Sequence, residues 1–125
     1  MNVELVAVER EVWSGQATSV IVRTVEGDVG ILPGHSPLLA QLKEGFSARI
    51  ILDGGDEISV ALHGGFLSVT KDRVSILVED AQLASEIDVA KAQADYADAQ
   101  RHSDGMESAE LLRARAQLLA AGHSV

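Results

Sequence analysis

Asp28, His35 and Ser36 fall in one short stretch, and Asp, His and Ser are the residue types of a hydrolytic triad. Such chemistry also needs a nucleophile raised on a strained turn and donors for the oxyanion. Ser36 is not in a nucleophile-elbow sequence, so the stretch reads as a shaped surface loop. Asp53, Asp56 and Glu57 around Gly54-Gly55 could be taken for a calcium loop. They lack the alternating ligands and distant glutamate of such loops and read as a hairpin turn. The sequence contains no HExxH, no Cys–His cluster and no Walker-type glycine loop. It has no cysteine, which excludes disulfides and thiolate metal sites. His63 beside Gly64-Gly65 reads as a packed or hydrogen-bonded histidine, and His102 and His123 flank helix ends, where the dipole favours imidazolium. The expectation is a non-catalytic protein with no cofactor and no metal.

The element that carries Asp28 and His35 is more telling than either residue. Gly27–Leu39 reads GDVGILPGHSPLL and concentrates Gly30, Pro33, Gly34 and Pro37. Glycine admits backbone angles closed to other residues, and proline fixes φ. Pro37 also holds Ser36 extended. A loop specified this tightly is expected to present something to a partner.

Composition narrows the partners. The chain has 125 residues, enough for one domain plus an appendage. Net charge is −9, which opposes nucleic acid binding and an electrostatic membrane anchor. Apolar residues make up 46% of the chain but aromatics only 3%, so Val, Ile, Leu and Ala must build the core. Trp13 is expected to plug that core. The N-terminal MNVELVAVER carries Glu4 and Glu9 and does not read as a signal peptide. No run approaches the ~20 apolar residues of a membrane span, so no direct membrane insertion is expected.

Two grammars divide the chain. Residues 1–84 alternate with period two: Ile58, Val60 and Leu62 against Ser59, Ala61 and His63; Val74, Ile76 and Val78 against Ser75, Leu77 and Glu79; Phe46, Ala48 and Ile50 against Ser47, Arg49 and Ile51. Val3–Glu9 and Ala17–Val25 are rich in Val and Ile. Turn signals at Ser14-Gly15, Glu26-Gly27, Asp53–Asp56, Gly64-Gly65 and Lys71-Asp72 separate the runs, and the spacing predicts an antiparallel β-sandwich. From Ser85 the pattern is helical. The spacing predicts one helix over Glu86–Arg101 capped by Ser85 with Asp88, a break at His102–Gly105, and a second helix from about Met106 to Ala121, with Asp104 and Glu107 at its start and Gly122 at its end. Leu111, Leu112, Arg115, Leu118 and Leu119 share one side. The expected fold is mainly β plus α: a sandwich over 1–84 and a two-helix antiparallel hairpin over 85–125. The alanine-rich first helix buries little area, so the hairpin should undock more easily than the sandwich unfolds.

Three features together resemble the epsilon subunit of F-type ATP synthases. They are the Gly27–Leu38 run, the segment Gly64-Gly65-Phe66-Leu67-Ser68-Val69 followed by the strand Val74–Ala81, and the order of a strand-rich body and a helical hairpin. Trp13-Ser14-Gly15 also sits where that family has an aromatic-Ser-Gly turn. The resemblance implies a central-stalk subunit that couples rotation of the proton-driven c-ring to ATP synthesis in the catalytic head, and whose C-terminal helices restrain ATP hydrolysis. It implies the gamma subunit and the c-ring as partners, with the alpha and beta subunits reached through the helices. It places the protein at the cytoplasmic side of a bacterial cell membrane as a peripheral protein.

Residue by residue, the resemblance assigns Asp28 to the acidic ring-contact position and Gly30, Leu32, Pro33, Gly34 and His35 to the contact loop for ring or gamma. In members that bind ATP as a regulatory ligand, an Ile/Leu-Asp-x-x-Arg-Ala motif contributes. Here it reads Ile87-Asp88-Val89-Ala90-Lys91-Ala92, with Arg115 at one arginine position of the second helix and Ser108 and Leu119 at two others. Lysine lacks the planar fork that grips phosphate, so any ATP site at Ile87, Asp88, Lys91 and Arg115 is expected to be weak. The competing reading is a stand-alone nucleotide-sensing sandwich module.

Overall fold

The computed structural model describes residues 1–102 and 107–123. Eight strands come first: β1 (Asn2–Ala7), β2 (Glu11–Gln16), β3 (Ser19–Thr24), β4 (Gly27–Ile31), β5 (Leu38–Gln41), β6 (Ser47–Ile51), β7 (Glu57–Thr70) and β8 (Arg73–Leu83). A short 3-10 turn, Ala84–Glu86, leads to α1 (Val89–His102) and α2 (Ala109–Ala120). The β-sandwich followed by two helices is the architecture the sequence spacing called for.

One sheet folds over itself in the order β2-β1-β8-β7-β6-β3-β4, with β5 on β7. The long β7 makes this possible. Residues 57–61 pair with β6, and residues 66–69 pair with β5, so one strand serves both layers. Gly64-Gly65 lies at the changeover. A Cβ on Gly65 would sit 2.1 Å from the Leu77 carbonyl oxygen, so β7 and β8 approach closely only because that atom is missing. Leu5, Val20, Ile31, Ile50, Leu67 and Ile76 close the core between the layers.

The structure departs from the sequence expectation in several places, each with a physical cause. The sheet is not wholly antiparallel: β1 runs parallel to β8, pairing Asn2 with Arg73 through Ala7 with Val78. The first and last strands meet only after the whole sandwich has been traversed, so no hairpin dictates their direction. Gly27–Ile31 and Leu38–Gln41, read as one loop, are strands. β4 is an edge strand held by its ladder to β3, and backbone hydrogen bonds form whether or not the residue is glycine. Ser14-Gly15 is no turn but part of β2, and Trp13 is a half-buried lid beside it. A Cβ on Gly15 would meet the Trp13 ring at 2.9 Å.

The helices start later than their capping signals suggested. Ser85 lies in the 3-10 turn, and the Asp88 carboxylate accepts the Lys91 N–H at 3.1 Å, capping α1. Ser108 caps α2, its Oγ accepting from Leu111 N–H at 3.1 Å. The spacing predicts a break at His102–Gly105, but His102 is the last residue of α1; the rest of that break, Asp104 as a cap and Met106 as a helix start lie outside the described residues. Gly122 ends α2 as expected: φ is +88°, its N–H reaches the Leu119 carbonyl, and His123 N–H reaches that of Leu118.

Helix α2 rests on β7 and β6, and α1 packs on α2. Ala116 and Ala120 of α2 meet Ala61 of β7, with Ile87 alongside. That seat buries the face of β7 opposite the main core, so Val60, Ala61 and Leu62 are buried in succession.

Candidate functional site

The Pro-Gly stretch resolves into a type II turn. Pro33 takes the position that needs φ near −65°, Gly34 the position that needs positive φ, at +83°, and His35 N–H donates to the Leu32 carbonyl at 3.1 Å. His35 Nδ1 lies 2.7 Å from the Ser36 carbonyl oxygen, so the ring braces its own backbone. Leu32, Pro33 and Gly34 are exposed at the tip.

Asp28 is not part of this turn. It sits near the start of β4 while the turn follows its end, about 16 Å away at ~3.3 Å per residue. Its partner is Arg23, directly across the ladder on β3. Arg23 Nε and Nη2 donate to the two carboxylate oxygens at 2.6 and 3.1 Å. Those hydrogen bonds hold the Asp28 carboxyl below its ordinary range. The structure therefore gathers Leu32, Pro33, Gly34 and His35 at one end of β4 and leaves Asp28 at the other, with Gly30 exposed between them. It also dissolves the Asp-His-Ser triad.

A surface the sequence reading passed over lies on the outer side of the sandwich. Leu77 (48% exposed) pairs with Phe66 (52%) across β8 and β7, and Val6 of β1 lies beside Leu77. Leu39 and Val8 are still more exposed. Val6, Val8, Phe66 and Leu77 border a shallow groove of about 840 Å³ that reaches Glu107 and, on α2, Leu112. Contiguous exposed apolar area of this kind marks a contact surface. The signal was present at Leu77, an apolar residue on the polar phase of the Val74–Glu79 alternation.

A second hollow, about 680 Å³, lies between the two helices. Ile87, Asp88 and Lys91 line it, but Arg115 does not; Arg113 and Gln117 occupy the α2 side instead. The cations there already have partners. Lys91 Nζ contacts Asp95 at 2.9 Å, and Arg113 Nη2 contacts Asp80 at 2.8 Å. Glu86, Asp88, Asp95, Asp98 and Glu110 give the lining a negative excess, which opposes a polyphosphate. Arg115 faces the other way, donating to the Gly45 carbonyl at 3.0 Å and pairing with Glu107 at 2.8 Å.

Two polar clusters fasten the hairpin, and neither was legible in the sequence. At the junction, Arg10 grips Glu86 at 2.8 and 2.9 Å and also donates to the Ala81 carbonyl, while Glu86 accepts Leu83 N–H. The Arg10 hydrogen bonds, then the one from Leu83, keep the Glu86 carboxyl below its ordinary value. Under α2, His63 Nε2 lies 2.7 Å from Gln82 Oε1, and Gln82 donates to Asp80, which also binds Arg113. Burial lowers the His63 pKa. Burial raises that of Asp80, but hydrogen bonds from Arg113 and Ala81 N–H outweigh it, and the net shift is downward.

Comparison with known proteins agrees with this arrangement. Residues 1–84 match the family model described as ATP synthase, Delta/Epsilon chain, beta-sandwich domain. The chain is 50% identical over 119 residues to the ATP synthase epsilon chain of Mycolicibacterium smegmatis, covering 95% of this chain and 94% of that one. It is 50% identical over 123 residues to that of Thermobifida fusca, covering 95% and 90%. A chain in the structure of the Euglena gracilis mitochondrial ATP synthase shares its fold, with a TM-score of 0.74 at 24% identity, covering 93% of this chain and 73% of that one. The sandwich, the Pro-Gly turn and the near-full-length relatives converge: this chain belongs to the family of ATP synthase epsilon chains.

Proposed function

We propose that this chain acts mechanically, as a non-catalytic part of the ATP synthase rotor. It joins the gamma shaft to the c-ring and carries torque between proton flow and ATP synthesis in the head. The apolar row of half-buried Val6 with exposed Leu77 and Phe66, on a stiffly packed sandwich, carries this reading. An apolar row offers a shaft a desolvated contact of fixed shape, and a dense core transmits force with little compression. The gamma subunit is assigned to this groove. The c-ring is assigned to β4, with Asp28 at one end and the Leu32–His35 turn at the other. No helix among the described residues is long and apolar enough to cross a membrane. Attachment to the ring would hold the protein at the cytoplasmic face of a bacterial membrane as a peripheral subunit. Contacts of α1 and α2 with the alpha and beta subunits, and restraint of ATP hydrolysis, belong to the same reading.

The acidic lining of the interhelix hollow does not favour ATP as its ligand, so the nucleotide-sensing alternative gains no support. The test is capture by purified gamma. Phe66→Asp should lower the affinity at least tenfold, because burying one carboxylate in an apolar contact costs more than ~1.4 kcal/mol. Failure of the unaltered protein to bind gamma, or undiminished binding by the variant, overturns the assignment.

A further inference from the structure

A single aromatic ring joins the rim to the hairpin. Phe46 precedes β6, and its ring carries two guanidiniums: Arg23 at 4.3 Å from the centroid and Arg115 at 4.5 Å. Arg23 comes from β3 and is held by Asp28; Arg115 comes from α2 and is held by Glu107. The two cations are within about 9 Å of one another, the sum of those distances, comparable with a Debye length of ~8 Å at physiological salt. The seat is tight. Gly45 is buried with φ +87°, its carbonyl accepts from Arg115 Nε, and a Cβ there would sit 2.5 Å from Arg115 Nη2 and 2.8 Å from Leu112 Cδ2.

We propose that Phe46 is a shared seat coupling the rim carboxylate Asp28 to the docking of α2. Two cations gather on one ring because each brings a carboxylate. When a basic group on a partner takes Asp28, Arg23 loses its counter-charge and repels Arg115, and α2 sits less firmly. By reciprocity, a docked α2 keeps Arg23 in place and Asp28 occupied within the chain. Phe46 and Arg23 are positioning residues in this scheme. The coupling is a property of the isolated chain; only the naming of the c-ring as the group that takes Asp28 rests on the function proposed above.

The experiment is amide hydrogen exchange on the full chain at fixed pH, comparing α2 with the core strands β7 and β8. Asp28→Asn should speed exchange in α2 roughly two- to fivefold, the scale of an exposed cation–π contact, and leave the core strands unchanged. In an Arg23→Gln background, where Arg115 keeps the ring to itself, Asp28→Asn should have no effect on α2. Phe46→Leu should likewise remove the response. Unchanged α2 exchange in Asp28→Asn, or a response that persists in the Arg23→Gln background, overturns the proposal. Coupling that is present in a protein unable to bind gamma or the ring would sink the rotor reading and leave this one standing.

Discussion

Asp28 shows how a partner within the chain changes the meaning of a residue. Its carboxylate is exposed yet already held by Arg23 through two hydrogen bonds. Such surface pairs contribute little to stability, so Asp28→Lys should leave the melting transition nearly unchanged. It nevertheless puts two cations opposite each other on β3 and β4 and removes the rim charge, so ATP-driven proton pumping in reconstituted vesicles should fall. Full pumping would contradict the ring assignment. His63 gives a pH dependence of definite sign. Its pKa when α2 is docked lies below the ordinary 6.5, through burial first; the Arg113 charge on α2 also lowers it, while the Gln82 hydrogen bond, Asp80 and Glu44 pull the other way. Above pH 6.5 the imidazole is neutral whether α2 is docked or free, and docking is insensitive to pH. As pH falls below that value the undocked form takes up more protons, so docking weakens until the docked pKa is passed. Asp80 and Glu86, both lowered, remain charged through this window. The NMR-measured docked fraction should drop as pH falls below about 6.5 and stay flat in His63→Gln.

At the scale of elements, what could be read from the sequence depended on how regular each element is. The alternation around Val60 and Val74–Val78 identified β7 and β8 because one face of each meets the core. Gly34 and Gly122 marked a turn and a helix end because both need positive φ. β4 stayed hidden because Gly27 and Gly30 carry no side-chain signal, although its partner β3 is its neighbour in the chain, and β5 stayed hidden because its partner, β7, lies far along the chain. Arg115 was placed at a nucleotide site by its position in sequence. Its side chain instead turns to Gly45 and Phe46, a choice set by how α2 rolls on β7, which no local pattern encodes. Gly65 is the element-scale test. Gly65→Ala would drive a methyl into the Leu77 carbonyl, so the β7–β8 pair must part or shift. We expect a loss of roughly 3 kcal/mol or more, read as a lower urea midpoint. A midpoint within error of the unaltered protein would show that the two strands do not depend on this approach.

For the whole molecule, the separation of the two apolar clusters matters most. The main core runs through the sandwich, while Ala61, Ala116, Ala120 and Ile87 form a small cluster of their own under α2. Alanine contacts supply little buried area, and the exposed Arg10–Glu86 and Asp80–Arg113 pairs add little more, so the hairpin is held less firmly than the sandwich. Removing residues 87–125 should therefore leave a cooperative thermal transition. A broad, non-cooperative melt would show that sandwich and hairpin are one unit.

The parallel pairing of β1 with β8 has a consequence for biosynthesis. A ribosome delivers β1 first, but its lateral neighbour arrives only with Arg73–Leu83. Until then the β1–β2 ribbon keeps an open flank of unpaired amides and carbonyls, an invitation to adhere to other nascent chains. Closure of the sheet must wait for contacts between distant parts of the polypeptide, which slows folding. The helices, made last, have their landing place on β7 only once that closure is complete.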